Sequence, residues 1–304
     1  MEEYDLIIIG GGPAGLSAAI YAARYKLKTG IFSKTIGGIA ATANKICNYP
    51  SYKEIKGFEL MQKFIEQAKS LKVSIFYNEI IKIKRQEPGF IVSTKKADYS
   101  CKKILIAIGT VRQKLNVPGE AGLLGKGVSY CTTCDGSLFQ DKIVAVIGGS
   151  DAALTSALLL AEYSTKVYII YRKEKFFRAE PSWVDLVENN KKIECIFNEE
   201  VIKINGKEKV QSVDLKSGKN LKLDGIFIEV GSLPKIDFLS NLKIEQDEKG
   251  YILVDKNQKT NEKGIYAAGD ITNNVLKQII TSGAEGAIAA YNIYQEIKKD
   301  SQKQ

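Results

Sequence analysis

The sequence predicts an α/β fold made of two Rossmann-like dinucleotide-binding domains, the second inserted in the first. Three observations predict it. The chain opens with a strand, a glycine turn and an Ala-rich helix, YDLIIIGGGPAGLSAAIYAARY. The same order returns from Lys142 as KIVAVIGGSDAALTSALLLAEYSTKVYIIYRKEKFFRAE. Near the C-terminus GIYAAGDITNNVLKQIITSGAEGAIAAYNIYQEI reads as strand, Gly-Asp and long helix once more. Short apolar runs alternating with Ala-rich helical stretches build parallel sheets covered by helices.

The first strand is the apolar run Leu6 to Ile9, and the first helix spans Leu16 to Tyr25. Between them Gly10-Gly11-Gly12-Pro13-Ala14-Gly15 gives G-x-G-x-x-G at Gly10, Gly12 and Gly15. The first glycine permits the tight turn, the second lets backbone approach a pyrophosphate, and the third lets helix and strand pack closely. The helix N-terminus then faces the phosphates. A further strand is expected within Tyr99 to Gly109, YSCKKILIAIG, ending on a glycine.

In the second unit Ile143 to Ile147 is strand, Ala152 to Tyr163 helix and Val167 to Tyr171 the next strand. Its turn is Gly148-x-Ser150-x-x-Ala153, with Asp151 and Ala152 opening the helix. Ser150 stands where the middle glycine belongs; it adds a Cβ but also a hydroxyl that can donate to a phosphate. The second strand's end selects the nucleotide, since a free ribose 2′-hydroxyl calls for Asp or Glu and a 2′-phosphate for cations. Tyr171-Arg172-Lys173 and then Arg178 stand there. The two arginines are fork-shaped donors suited to phosphate, which points to NADPH. Ile193 to Ile228 is strand-rich, and VQSVDLKSGKNLKLDG suggests hairpins.

The C-terminal segment completes the first domain. Gly269-Asp270 follows a strand directly, where a carboxylate meets a cofactor hydroxyl while the next helix start meets phosphate. Lys277, Gln278 and Ile279 lie at that start, and the helix is expected from about Gln278 through Ala290. Its small residues Ala284, Gly286, Ala287 and Ala289 allow close packing. The insertion then spans roughly Val111 to Pro234.

Composition sets the outer bounds. The 304 residues allow two domains, and 44% hydrophobic with 26% charged residues excludes disorder. No apolar run suggests a membrane span, and the N-terminus enters a strand at once, so a cytoplasmic protein is expected. The net charge of +9 comes from scattered lysines that no nucleic-acid-binding motif organises. Five cysteines include one close pair, Cys131 and Cys134, in YCTTCDG, which fits half a zinc site, a structural disulfide or a redox pair. The chain has no His and no second C-x-x-C, so no metal is expected, and His-dependent acid/base chemistry is excluded. Cys47 is expected to be buried or half-buried, and Cys101 and Cys195 to act as small hydrophobes.

Two nested dinucleotide folds with C-x-x-C-D-G just before the second fingerprint resemble the low-molecular-weight thioredoxin reductases. The resemblance runs over essentially the whole chain. It is carried by GGGPAG, Gly37-Gly38, the Asn48-Tyr49-Pro50 loop, IAIG at Ile106 to Gly109, CTTCDG, YRKEKFFRA, and GIYAAGD followed by KQI. It implies that each domain is a three-layer parallel-sheet unit with an additional antiparallel β layer. It also implies FAD in residues 1–112 and 235–304, NADPH and the redox disulfide in 113–234, a homodimer, and rotation between domains. Ser33, Gly38, Asn48, Ala107 and Gly109 join the FAD-binding set by position. Electrons would pass from NADPH to FAD, then to a Cys131–Cys134 disulfide, then to thioredoxin. Cys134 would face the flavin, Cys131 would attack the partner, and Asp135 would move protons. The chain departs from the family at Ser33 and Lys34, where an acid often holds the adenosine ribose. It departs again at Ile39 for Gln, Ser150 for Gly and Tyr171 for His. The alternatives are a reductase fed by ferredoxin or another donor, one serving a glutaredoxin-like or peroxidase-linked acceptor, and a non-catalytic FAD-binding protein.

Overall fold

The computed structural model describes residues 1–239 and 241–302. The chain divides into two compact units, Met1–Val111 with Leu233–Gln304, and Arg112–Ser232.

The first unit opens with strand β1 (Glu2–Gly11), helix α1 (Pro13–Arg24) and strand β2 (Thr29–Ile36). Pro13 enters α1 at its first turn, where a missing N–H costs nothing. Helix α2 (Gly57–Ser70) and strand β3 (Ser74–Phe76) follow. Leu60, Met61, Ile65 and Ala68 form the buried face of α2, a helical period present in the sequence but not assigned from it. Strands β4 (Lys82–Gln86) and β5 (Gly89–Ser93) make a hairpin, and β6 (Asp98–Ile106) runs back into the sheet.

The chain then crosses to the second unit at β7 (Val111–Arg112). That unit holds β8 (Val128–Ser129), the one-turn helix α3 (Thr132–Asp135), β9 (Ile143–Ile147), α4 (Asp151–Tyr163) and β10 (Lys166–Tyr171). Next come α5 (Pro181–Glu188), β11 (Ile193–Phe197), β12 (Val201–Gly206), β13 (Val210–Leu215), β14 (Asn220–Lys222) and β15 (Gly225–Ile228). It ends at β16 (Ser232–Leu233), which pairs with β7. Strand β17 (Ile265–Ala267) and helix α6 (Ile279–Ser301) close the chain in the first unit.

In the first unit β1 lies parallel between β2 and β6. The β4–β5 hairpin joins the first half of β6 antiparallel, while β17 pairs parallel with its second half. Buried on both faces, β1 reads as a continuous apolar run. One face packs Leu6, Ile8 and Leu105 against α1 and α6. The other packs Ile7, Ile9, Ile104 and Ile106 against the hairpin and against Leu239, Ile244, Ile252 and Ile271.

The second unit carries a parallel sheet in the order β11-β10-β9-β15-β8 and a separate antiparallel sheet β12-β13-β14. Val144, Val146, Ile169 and Phe227 pack beneath α4, while Ala145, Ile147, Ile170 and Ile226 pack against the antiparallel sheet. The strand order reverses between β9 and β15, which opens a crevice at their C-terminal ends. No described helix is long and apolar enough to cross a membrane.

Candidate functional site

In the first unit the predicted glycines gather at the C-terminal ends of β1, β6 and β17. A Cβ on Gly10 would fall 2.2 Å from the Ala107 carbonyl oxygen, and one on Gly15 would fall 2.0 Å from that of Gly10. Ala107 itself donates its N–H to Ile9 at 2.7 Å. These glycines let the β1–α1 turn close on its neighbours. A Cβ on Gly12 would meet nothing within 4 Å, and the same holds at Gly109, where φ is +64°. Gly12 therefore borders open space beside the α1 N-terminus, the cradle a pyrophosphate needs. Gly37 donates its N–H to Gly11 at 2.7 Å, and Gly38 lies against the Gly12 Cα.

The β17–α6 turn joins the same place. A Cβ on Gly269 would lie 3.0 Å from the Ala14 Cβ. Asp270 accepts a hydrogen bond from Ser282 Oγ at 3.2 Å, and burial pushes its carboxyl up despite that bond and nearby Lys277. Gln278 caps α6 in a box with Thr281 and accepts from Asn48 Nδ2 at 3.3 Å. Ile279 packs with Ile46, Ile55, Leu60 and Met61. The residues expected at a flavin dinucleotide thus border one open cradle beside the α1 N-terminus, while the Ser33 and Lys277 side chains bond elsewhere. Ser33 donates its hydroxyl to Thr35 of its own strand at 2.7 Å. Lys277 donates to the Thr272 and Asn274 carbonyls at 2.5 and 3.0 Å and lies 4.2 Å over the Tyr251 ring. Its ammonium fastens the loop, which leaves its backbone as the group available at the helix start. Glu285, buried on α6, was not read from the sequence; its Oε2 accepts the Gly269 N–H at 2.7 Å and fixes the turn.

In the second unit a cavity of about 560 Å³ opens at the sheet crevice, within the range of cofactor sites. Gly149, Ser150, Tyr171, Arg172, Lys173 and Arg178 line one part of it. Gly148, at φ +144°, would drive a Cβ to 2.2 Å from the Glu229 carbonyl. Ser150 is the α4 N-cap residue, yet its hydroxyl makes no capping bond. None of Arg172, Lys173 and Arg178 forms an ion pair with another described residue. A free hydroxyl and three unpaired cations suit a phosphorylated dinucleotide. Ala152 extends α4 from this turn. Asp151 has a structural partner instead: its carboxylate accepts the Glu180 N–H at 2.6 Å, before α5, and burial pushes its carboxyl up.

Cys131 and Cys134 form a disulfide at the start of α3, with an S–S distance of 2.08 Å. Strand β8 delivers them at the sheet edge beside β15. Ser129, buried at the end of β8, organises the turn. Its hydroxyl donates to Asp135 Oδ2 at 2.6 Å and accepts the Cys131 N–H at 3.0 Å. The Asp135 N–H donates to the Cys131 carbonyl at 3.1 Å. Arg112 donates to the Tyr130 carbonyl, and the Tyr130 phenol donates to the buried Glu120 carboxylate. That carboxylate also takes the Leu115 and Asn116 N–H groups at 3.0 and 2.6 Å. The residue before Cys131 is thereby tied at both ends to the segment that enters the unit.

The remaining thiols stand apart. Cys47 is exposed, contrary to the expectation of a buried position. The Ile46–Ile55 bridge turns Ile46 inward and its neighbour outward. Cys101 is buried in β6, and burial pushes its thiol up to about 12. Cys195 is partly buried, and burial pushes its thiol up to about 11.

A family model described as pyridine nucleotide-disulphide oxidoreductase matches residues 4–286. The chain is 38% identical to a thioredoxin reductase of Peptoclostridium acidaminophilum, covering 94% of this chain and 95% of that protein. It is 37% identical to one of Bacillus subtilis, over 97% and 95%. The crystal structure of Lactococcus lactis thioredoxin reductase superposes with a TM-score of 0.94 at 36% identity, over 97% of this chain and 99% of that one.

Proposed function

Since the chain belongs to the pyridine nucleotide-disulphide oxidoreductase family, we propose that it is an NADPH-dependent thioredoxin reductase. The observation that carries this reading is the Cys131–Cys134 disulfide with Asp135 held beside it, in a unit whose pocket presents Arg172, Lys173 and Arg178. FAD, when bound, takes hydride from NADPH and passes two electrons to the disulfide. Gly10, Gly12, Gly15 and the α1 N-terminus would hold its pyrophosphate, with Asp270 accepting from a ribityl hydroxyl.

The S–S bond breaks as two electrons arrive, giving one thiolate and one thiol. Cys134 receives them, and Asp135 carries the accompanying proton between solvent and the pair. The Cys131 thiolate then attacks the thioredoxin disulfide and forms a mixed disulfide. Cys134 displaces the reduced partner, which restores the Cys131–Cys134 bond and leaves a thioredoxin dithiol. Overall NADPH, one proton and a protein disulfide give NADP⁺ and a protein dithiol.

Rotation between the units at Val111–Arg112 and Ser232–Leu233 would bring nucleotide and disulfide to the flavin in turn. A homodimer is supported by Tyr21 of α1 and Ile280, Ile288 and Tyr291 of α6, apolar side chains exposed on the first unit. The three free thiols support a reducing, cytoplasmic setting.

The test is reduction of a candidate thioredoxin by the purified FAD-loaded protein, with NADPH and with NADH, repeated with Cys134→Ser. NADPH should drive it well above NADH, and the variant should lose it. Turnover with neither nucleotide would move the donor to ferredoxin or another carrier.

A further inference from the structure

The part of the nucleotide pocket away from the cations is built by Glu229, Val230 and Gly231, at the C-terminal end of β15. Cations at the end of β10 fix the adenosine half of a dinucleotide on that side of β9. The strand order continues from β9 to β15, so the nicotinamide half extends toward Glu229. Of the two carboxylates lining the pocket, Glu174 belongs to the cation segment and Glu229 to the β15 side.

Glu229 has the form of a prepared acceptor. Its side chain is only 11% exposed. Arg112 Nη1 donates to Oε1 at 3.0 Å and Ser156 Oγ donates to the same oxygen at 3.3 Å. Oε2 takes no hydrogen bond from any described residue. A buried carboxylate in a site for a polyanion needs a neutralising partner, and Arg112 is that partner. With Oε1 held, the carboxylate is fixed in orientation and its second oxygen is left for a ligand. The donors on a nicotinamide nucleoside are its carboxamide NH₂ and its ribose hydroxyls, and both classes suit an ionised carboxylate.

We propose that Glu229 is a binding residue for the nicotinamide half of the dinucleotide, accepting a carboxamide or ribose hydrogen bond on Oε2 while Arg112 and Ser156 hold Oε1. The proposal rests on the NADPH reading above. Its position also links the nucleotide to the redox turn, because Arg112 bonds the Tyr130 carbonyl next to Cys131.

Calorimetric titration of the FAD-loaded protein with NADP⁺ and with 2′,5′-ADP, which lacks the nicotinamide half, tests it. In Glu229→Ala the Kd for NADP⁺ should rise about tenfold, the effect of one charge-assisted hydrogen bond. The Kd for 2′,5′-ADP should stay unchanged, which also shows that the pocket is folded. Glu229→Gln, which can still accept from Arg112 but turns an amide donor toward the ligand, should lose NADP⁺ affinity in the same way. Arg172→Ala should weaken both ligands. Equal weakening of both by Glu229→Ala, or full NADP⁺ affinity in either Glu229 variant, would overturn the assignment. If the unmodified protein binds NAD⁺ and 5′-AMP but not 2′,5′-ADP, the NADPH reading fails. The same comparison with NAD⁺ and 5′-AMP then decides Glu229 by the same criteria.

Discussion

Ser129 spends its one hydroxyl proton on Asp135 and its lone pair on the Cys131 N–H, so one small side chain orients both the acid and the disulfide turn. Ser129→Ala should lower thioredoxin turnover about tenfold, a fraction of the roughly 10²–10⁴-fold a positioned proton carrier contributes, while NADPH affinity stays unchanged. Ser129→Thr should retain most activity; steady-state kinetics with each substrate varied separates the two effects. Arg172→Ala and Arg178→Ala should each raise the KM for NADPH at least tenfold and leave that for NADH unchanged. Paired initial-rate measurements with the two nucleotides check this. The fingerprint glycines and strand-end cations were legible in the sequence because their chemistry is set by position along one strand–turn–helix unit. Ser129, Glu229 and Glu285 were not. Each acts through a partner on another element, Asp135 of α3, Arg112 of β7 or Gly269 after β17, and a single sequence does not pair such residues. Asp151, Ser33 and Lys277 show the converse. Motif position pointed Asp151 and Lys277 to a cofactor and the resemblance pointed Ser33 there, while in the structure backbone groups take all three side chains.

Helix α6 shows the same division at the scale of an element. Its start was legible from Gly269-Asp270 and the small residues after it, but the helix continues past Ala290 to Ser301. Gly286 explains its close seat on α1, since a Cβ there would lie 2.1 Å from the Ala14 carbonyl oxygen. Gly286→Ala must displace backbone and should cost on the order of 2 kcal/mol in urea unfolding. Farther along, Glu296 anchors the last turns. It takes buried Lys103 at 2.5 Å, the Tyr266 hydroxyl at 2.6 Å and Lys259 at 3.1 Å. Burial alone would push its carboxyl up, but the bonds from Lys103, Tyr266 and Lys259 prevail and hold it at about 2. A carboxyl lowered on folding stabilises fully above its unfolded value of about 4.3, and the benefit fades as pH falls toward about 2. Glu296→Gln should therefore lose on the order of 2 kcal/mol at pH 7. Its difference from the unmodified protein should close as pH drops through that window, as read from urea midpoints at several pH values. Ile293 and Ile297 continue the buried face at helical spacing beyond the small residues, so a reading that stopped with the Ala-rich stretch placed the end too early.

For the whole molecule, the nested order of two dinucleotide units was readable because each half repeats one strand–turn–helix signature. The clamp of Glu120 on Leu115, Asn116 and Tyr130 was not, since it depends on a buried carboxylate meeting two chain N–H groups and a phenol. That clamp makes the entering segment and the redox turn one body, so the disulfide travels with its unit in the proposed rotation. If that rotation limits turnover, kcat with saturating NADPH and thioredoxin should fall in proportion to solvent viscosity in sucrose. A kcat independent of viscosity would place the limit in chemistry. In the proposed mechanism NADPH electrons reach thioredoxin through Cys131 and Cys134. Alkylating the FAD-loaded protein and mapping the labelled cysteines by mass spectrometry follows that route. Before NADPH neither residue should carry label; after NADPH both should. Adding oxidised thioredoxin before the alkylating agent should restore protection of the pair and move the label to the thioredoxin thiols. A pair that stays protected in NADPH, or stays labelled in the presence of excess oxidised thioredoxin, would rule this electron route out.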